Sequence, residues 1–122
     1  YATEPDADPM ADWLEACERL SQYARDDQLV LGGHKLPFTG LPKRMQQLIE
    51  NHHGALERLL KFLDEPHVAG DCFPPLFKRK IGKGEYGLAL VEAIAHLNHL
   101  YHLGQVSRVR RADGAWLWQK KD

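Results

Sequence analysis

The 122-residue chain has only two cysteines and almost no excess of charge: 16 Lys and Arg stand against 17 Asp and Glu, a formal net charge of -1. Balanced charge removes the global electrostatic case for a protein that binds nucleic acid or an anionic membrane. Cys17 and Cys72 have neither metal-ligand nor disulfide spacing, so both read as reduced structural residues. Apolar runs of the roughly 20 residues needed to cross a bilayer are missing. The opening Thr3-Glu4-Pro5-Asp6-Ala7-Asp8-Pro9 is not a signal peptide, and no initiator methionine precedes it. The expectation is a C-terminal piece of a longer, cytoplasmic protein, with any targeting signal upstream of Tyr1. Internal repeats and low-complexity segments are absent. No spacing joins a Ser-His-Asp or Cys-His set, and the basic stretch Lys78-Arg79-Lys80-Ile81-Gly82-Lys83-Gly84 lacks the Walker spacing and its Ser/Thr. What remains, at 43% hydrophobic and 27% charged residues, is an ordinary globular domain with a core of its own.

Local signals divide the chain into elements. Asp8 is a good N-cap with Pro9 in the first helical position, and Met10, Trp13, Leu14, Cys17, Leu20 and Ala24 follow at helical spacing. This apolar stripe ends at Arg25-Asp26-Asp27. Leu29-Val30-Leu31 is then an unalternated apolar run that suits a short buried strand over residues 28–31, closed by Gly32 and Gly33. From Leu41 a helix of some six turns carries Met45, Leu48, Ile49, His52, Leu56, Leu59, Leu60 and Leu63 on its buried face, with Pro42 in its first turn. Gly54 in its middle marks the close approach of another element. Asp71 caps a short helix reaching Phe77 to Arg79. Residues 85–103 form the most buried helix, because its leucines occupy more than one face, and Gly104 stops it. Strands 106–110 and 116–120 flank Ala112-Asp113-Gly114-Ala115, a hairpin with an Asp-Gly turn. Three helices followed by a hairpin is the winged-helix arrangement.

Histidine supplies the candidate chemistry. His34 follows two glycines at a strand end, a place where a neutral imidazole can ligate a metal. His96, His99 and His102 recur three apart on one helix, but no carboxylate or cysteine joins them at ligand spacing, so they read as structural. Of His52 and His53, one faces the core and the other turns away. A winged helix also raises DNA binding. The helix that would enter the groove carries Glu85 and Glu92 and no Lys or Arg, which disfavours it. The basic residues lie instead in the loop before it and at Arg108, Arg110 and Arg111.

The helix from Asp8 to Leu20, the run Leu29-Val30-Leu31-Gly32-Gly33-His34, and Leu36-Pro37-Phe38-Thr39-Gly40-Leu41 together resemble the end of a metallo-β-lactamase-fold hydrolase domain. The stretch from Glu50-Asn51-His52-His53 to Leu60 is similar to the long helix opening that family's winged-helix-like C-terminal extension. Residues 95–100 and 104–106 match its later helix and the start of its wing. Lys35 stands where a glycine is usual, and the signature His-x-His-x-Asp-His is not in this chain. The resemblance implies a mainly α fold. A catalytic-domain remnant over 1–38, one helix and one strand of an αββα domain, precedes a winged-helix-like domain with a C-terminal hairpin over 39–122. It implies a metal-dependent hydrolase as parent, with two zinc ions and His34 as the last protein ligand, acting on a small ester, thioester or lactone. This stretch alone would be inactive and without zinc, lacking the catalytic half. The first helix and strand would cover the missing β-sandwich or, alternatively, pack on the second domain; left unpartnered, they imply a homo-oligomer. The alternative function is a winged-helix nucleic-acid-binding or dimerisation module.

Overall fold

A computed structural model describes residues 4–122 of the chain. It is mainly helical, with α1 over Pro9–Ser21, α2 over Leu41–Phe62, a short α3 over Phe73–Leu76 and α4 over Tyr86–His102. An antiparallel hairpin follows, β1 over Val106–Arg110 and β2 over Trp116–Lys120. Single 3-10 turns, Ala69–Cys72 and Lys83–Glu85, lead into α3 and α4. The expected mainly α fold with a terminal hairpin is therefore present, and no helix of the described residues is long and apolar enough to cross a membrane.

The helix starts follow their sequence signals. The Asp8 carboxylate accepts the Ala11 N–H at 3.0 Å, capping α1, and Pro9 costs nothing where the N–H has no helical partner. Gly40 takes φ +84°, a left-handed conformation that favours glycine, and so turns the chain into α2. Asp71 caps differently from expectation. It sits inside a 3-10 turn and its carboxylate reaches back to the Val68 N–H, while α3 begins two residues later. At the hairpin, Gly114 has φ +90°, Arg111 donates its N–H to Ala115 at 2.8 Å, and Asp113 accepts from both Arg111 and the Ala115 N–H.

One core holds α2, α4 and the hairpin together. Leu59 and Leu63 of α2 and its C-cap meet Leu97 and Leu100 of α4, with Val106 of β1, Trp118 of β2 and Cys72 closing the cluster. The outer edge of β2 is tied to the chain leaving α2, through His67 and Trp118, which exchange backbone bonds of 3.0 and 2.8 Å, and through Lys120 N–H to the Leu63 carbonyl. A two-stranded hairpin is marginal alone, so this third edge and the buried Trp118 hold it.

Three expectations change. The apolar stripe of α1 is not left for an outside partner: Met10, Leu14 and Cys17 are buried, and α1 packs on α2 and α4. Only Trp13 and Leu20 of that stripe stay exposed. Residues 28–31 do not form a buried strand. Val30 and Phe38 make one antiparallel bridge, with bonds of 2.8 and 3.1 Å, while Leu29 and Leu31 are 65% and 75% exposed. A strand propensity unsupported by neighbouring strands yields a bridge and nothing longer. Finally, no second element crosses close at Gly54. A Cβ there would meet only Arg58 Nη1 at 3.4 Å, and the vacancy gives Arg58 room to lie along α2 and donate to the Pro75 carbonyl at 2.8 Å.

Truncating the centre of this cluster should cost most. Leu97→Ala is expected to lower stability by about 2–5 kcal/mol, whereas Leu88→Ala, on the exposed start of α4, should stay within about 0.5 kcal/mol. Urea unfolding with an unchanged slope would measure both.

Candidate functional site

His34 lies where the Val30–Phe38 bridge closes a hairpin-like loop. With Lys35, Leu36, Pro37, Phe38 and Arg44 it lines an open hollow. The imidazole is exposed. Among the described residues no group of three His, Cys, Asp or Glu side chains is placed to hold a metal ion. The chain's own residues therefore do not fit a metal centre by themselves, since a hydrolytic zinc needs about three protein ligands. His34 offers at most one.

Four of the other six histidines, His52, His67, His96 and His99, are held within the fold. His52 is half-buried between the Trp13 edge, 6.2 Å away centre to centre, and His96, 5.7 Å away, while neighbouring His53 is exposed, as the helix pattern requires. His96 and His99 are buried and His102 is exposed. The spacing of three thus brings no shared site, because each ring has a different partner. His96 Nδ1–H donates to the Glu92 carbonyl at 2.7 Å, which leaves Nε2 bare in the neutral ring. His99 Nδ1 faces both oxygens of Asp8 at 3.0 and 3.1 Å. His67 stacks on Phe62 at 4.2 Å, with Asp71 3.6 Å away.

Burial pushes the ionisations of these inner groups away from charge. His96 is held below its ordinary 6.5 first by desolvation, and further by His52 and His99, against the opposing bond to the Glu92 carbonyl. Desolvation also lowers His52, partly offset by Glu92. Burial raises the Cys17 thiol, and burial with the nearby Asp71 charge pushes Cys72 up to about 12. Neither thiol is a nucleophile at neutral pH.

A polar seam that sequence reasoning did not anticipate fixes the start of the chain. Besides capping α1, Asp8 binds His99, a residue 91 positions away. Next to it Asn98 donates to the Ala7 carbonyl at 3.4 Å and accepts from Arg108 at 3.3 Å. Arg108 also reaches the Pro5 carbonyl at 3.0 Å and Asp6 at 3.2 Å, with its guanidinium 4.2 Å from the centre of the Tyr101 ring and 4.8 Å from that of Trp116. No local motif encodes these pairings. The only available signal was three polar residues, His96, Asn98 and His99, on a helix expected to be buried on several faces. Two of the three arginines of the expected wing are committed in the same way, and Arg110 stays exposed. Arg108 is turned inward and Arg111 is paired with Asp113, as Arg79 before α4 is paired with Glu85.

The architecture is that of a helical module with a terminal hairpin, its polar groups consumed by its own packing and one histidine left free on a loop. The family model described as "Metallo-beta-lactamase-like, C-terminal domain" matches residues 56–121, more than half of the chain. The chain belongs to that family. A β-lactamase domain protein from Burkholderia ambifaria is similar over 99% of this chain, with a TM-score of 0.89 and 32% identity. A metallo-β-lactamase family protein from Thermus thermophilus is similar over 93%, with a TM-score of 0.76 and 27% identity. This chain spans only 36% and 34% of those two proteins, about a third of their length. No curated protein matches.

Two outcomes follow from the inner polar groups. Asp8→Ala removes a helix cap, worth about 1 kcal/mol, and strips buried His99 of its partner, costing about 1–3 kcal/mol more. The two should sum to a loss of about 2–4 kcal/mol in urea unfolding. The second concerns pH. Because the folded chain favours neutral His96 and His52, the unfolded chain binds more protons below 6.5. Stability is full above that value and falls as the pH drops through the lowered folded values. In a proton NMR titration the His96 ring should still be neutral at a pH where histidines of the urea-unfolded chain are charged. A His96 midpoint at or above 6.5 would contradict the argument.

Proposed function

We propose that this chain is the C-terminal part of a metal-dependent hydrolase, and that His34 gives one ligand to a metal site whose other ligands lie outside these 122 residues. The observation that carries this reading is the match of nearly the whole chain, α1 and the His34 loop included, to about a third of a β-lactamase domain protein. Zinc, as two ions, is what the family likeness implies, and a loop imidazole is compatible with it. When bound, such ions lower the pKa of a water and polarise the scissile group of a small ester, thioester or lactone. The chain by itself is inactive on this reading, since one imidazole holds no hydrolytic centre.

The division at residues 38 and 39 belongs to the same proposal. Residues 1–38 would form the edge of the catalytic part and residues 39–122 the winged-helix-like module, with α1 as the element packed on the module. Leu29, Leu31 and Leu36, the last 86% exposed, would meet the catalytic part around His34. That leaves self-association with narrower support than the sequence suggested, because α1 already buries Met10, Leu14 and Cys17 against its own chain. A dimer would have to use Trp13, Leu20, Tyr23 and the loop leucines, all exposed. A nucleic-acid-binding module is disfavoured by the ion pairs of Arg79, Arg108 and Arg111 and by the buried second half of α4. A cytoplasmic setting completes the reading, in keeping with Cys17 and Cys72 as buried, unpaired thiols.

The test uses the longer protein that carries this stretch. His34→Ala should lower bound metal, measured by elemental analysis, and abolish hydrolysis of a panel of esters, thioesters and lactones. The core around Leu97 should melt unchanged, because His34 is exposed and far from it in the packing. Full metal content in the variant would remove His34 from the site.

A further inference from the structure

We propose that the cavity between α4, the chain after α2 and the hairpin binds a small apolar molecule carrying one carboxylate. The cavity has a volume of about 310 Å³ and is separate from the His34 loop. Its walls are mostly apolar, with Leu90 and Ile94 of α4 on one side and Trp116 and Trp118 of β2 on the other. Two polar side chains converge at one end, Asn98 and Arg108. A concave apolar chamber with few, convergent polar groups is the usual form of a small-molecule site.

The polar end identifies the head group. The Arg108 side chain is only 10% exposed, and aromatic rings cover its guanidinium at 4.2 Å from Tyr101 and 4.8 Å from Trp116. Its bonding is therefore left to the in-plane N–H groups, a fork that fits a carboxylate. Nη1 is bonded to the Pro5 and Asn98 oxygens. Nη2 meets a carboxylate, that of Asp6, whose side chain is 88% exposed. Such an exposed, single-bonded pair contributes little and is readily exchanged for another anion. Asp6 thus occupies the place of a ligand's carboxylate from the solvent side, while among the described residues no chain segment fills the apolar chamber behind it. A ligand bringing both an apolar body and a carboxylate would use the chamber and the Nη2 N–H groups together, and Asp6 would be its competitor.

The probe is 4-phenylbutyrate, with 4-phenylbutanol as its uncharged counterpart, titrated into the 122-residue chain and followed by tryptophan fluorescence and amide chemical shifts. Saturable binding of the acid is expected, with shifts at Ala69, Gly70 and Trp116, and with the alcohol about tenfold weaker or more for want of a charge-assisted bond. Asp6→Asn should tighten the acid several-fold by removing the competing charge while leaving the alcohol unchanged. Ala115→Phe, at the cavity rim on the hairpin loop, should abolish binding with an unaltered thermal melt. Equal binding of acid and alcohol, an Asp6→Asn chain that binds no tighter, or undiminished binding by folded Ala115→Phe would each overturn the assignment. So would the absence of saturable binding in Asp6→Asn.

Discussion

Burial of the second half of α4 on all sides is the constraint on which the rest of the molecule depends. Residues Ala93 and His96 to Leu100 are all buried, yet three of them are polar. A helix in that position has to bury apolar side chains on one face and find a partner for every polar group on the other, since an unpaired buried group costs about 1–3 kcal/mol. Leu97 and Leu100 satisfy the first demand against Leu59, Leu63, Val106 and Trp118. The second is met by His96 on its own helix, by Asn98 with Ala7 and Arg108, and by His99 with Asp8. No buried side-chain nitrogen or oxygen among the described residues lacks a partner. The placement of α1 follows from this. The Asp8 carboxylate joins the first turn of α1 to His99, so capping and docking are one event, and Met10, Leu14 and Cys17 then pack where that docking puts them.

Punctuation in the sequence located the elements well, and for a local reason. Asp8-Pro9, Pro42, Gly104 and Asp113-Gly114 each act through the backbone of adjacent residues, which a sequence displays directly. Burial of α4 was legible from leucines on more than one face. Contacts between distant segments were not. Asp8 and His99 lie 91 positions apart and Arg108 and Asp6 lie 102 apart, and nothing in either neighbourhood names the other. Asp8 read as a cap because its role next door is visible and its role across the fold is not. Gly54 misled in the opposite direction. Its missing side chain makes room for Arg58 of its own helix, a use that periodicity cannot distinguish from helix crossing.

The run Leu29-Val30-Leu31 shows where propensity ends. Leucine and valine favour a half-buried pleated surface, but a strand is made by its neighbours. Here Val30 finds only Phe38 across a tight loop, so two of the three apolar side chains point to solvent. The same reasoning put the α1 stripe first against an outside surface, and the alternative, packing on its own chain, is what α2 and α4 provide. The two errors have a common root. An apolar pattern states that a residue is to be covered and does not say by what.

Seen together, the histidines divide by what surrounds them. His96 and His99 are surrounded by their own chain, and each is bonded to it through Nδ1. His67 is stacked on Phe62, and His52 is wedged beside Trp13 and His96. Of the exposed histidines, His53 and His102 are on helices, and His34 alone lies on a loop. It is exposed, it sits on the loop tip that Val30 and Phe38 pinch off, and Leu31 and Leu36 on either side are equally uncovered. Large apolar side chains at about 1.5–3 kcal/mol each on burial are a substantial reserve when several stand together. A loop with exposed leucines and an exposed imidazole on the same tip is what the proposed metal site, with its other ligands outside the 122 residues, would require. The inner seam, by contrast, is complete and keeps the tip in place: α1 is pinned at Asp8, α2 is pinned by the core at Leu59, and the loop between them is held at both ends by elements that do not depend on what it meets.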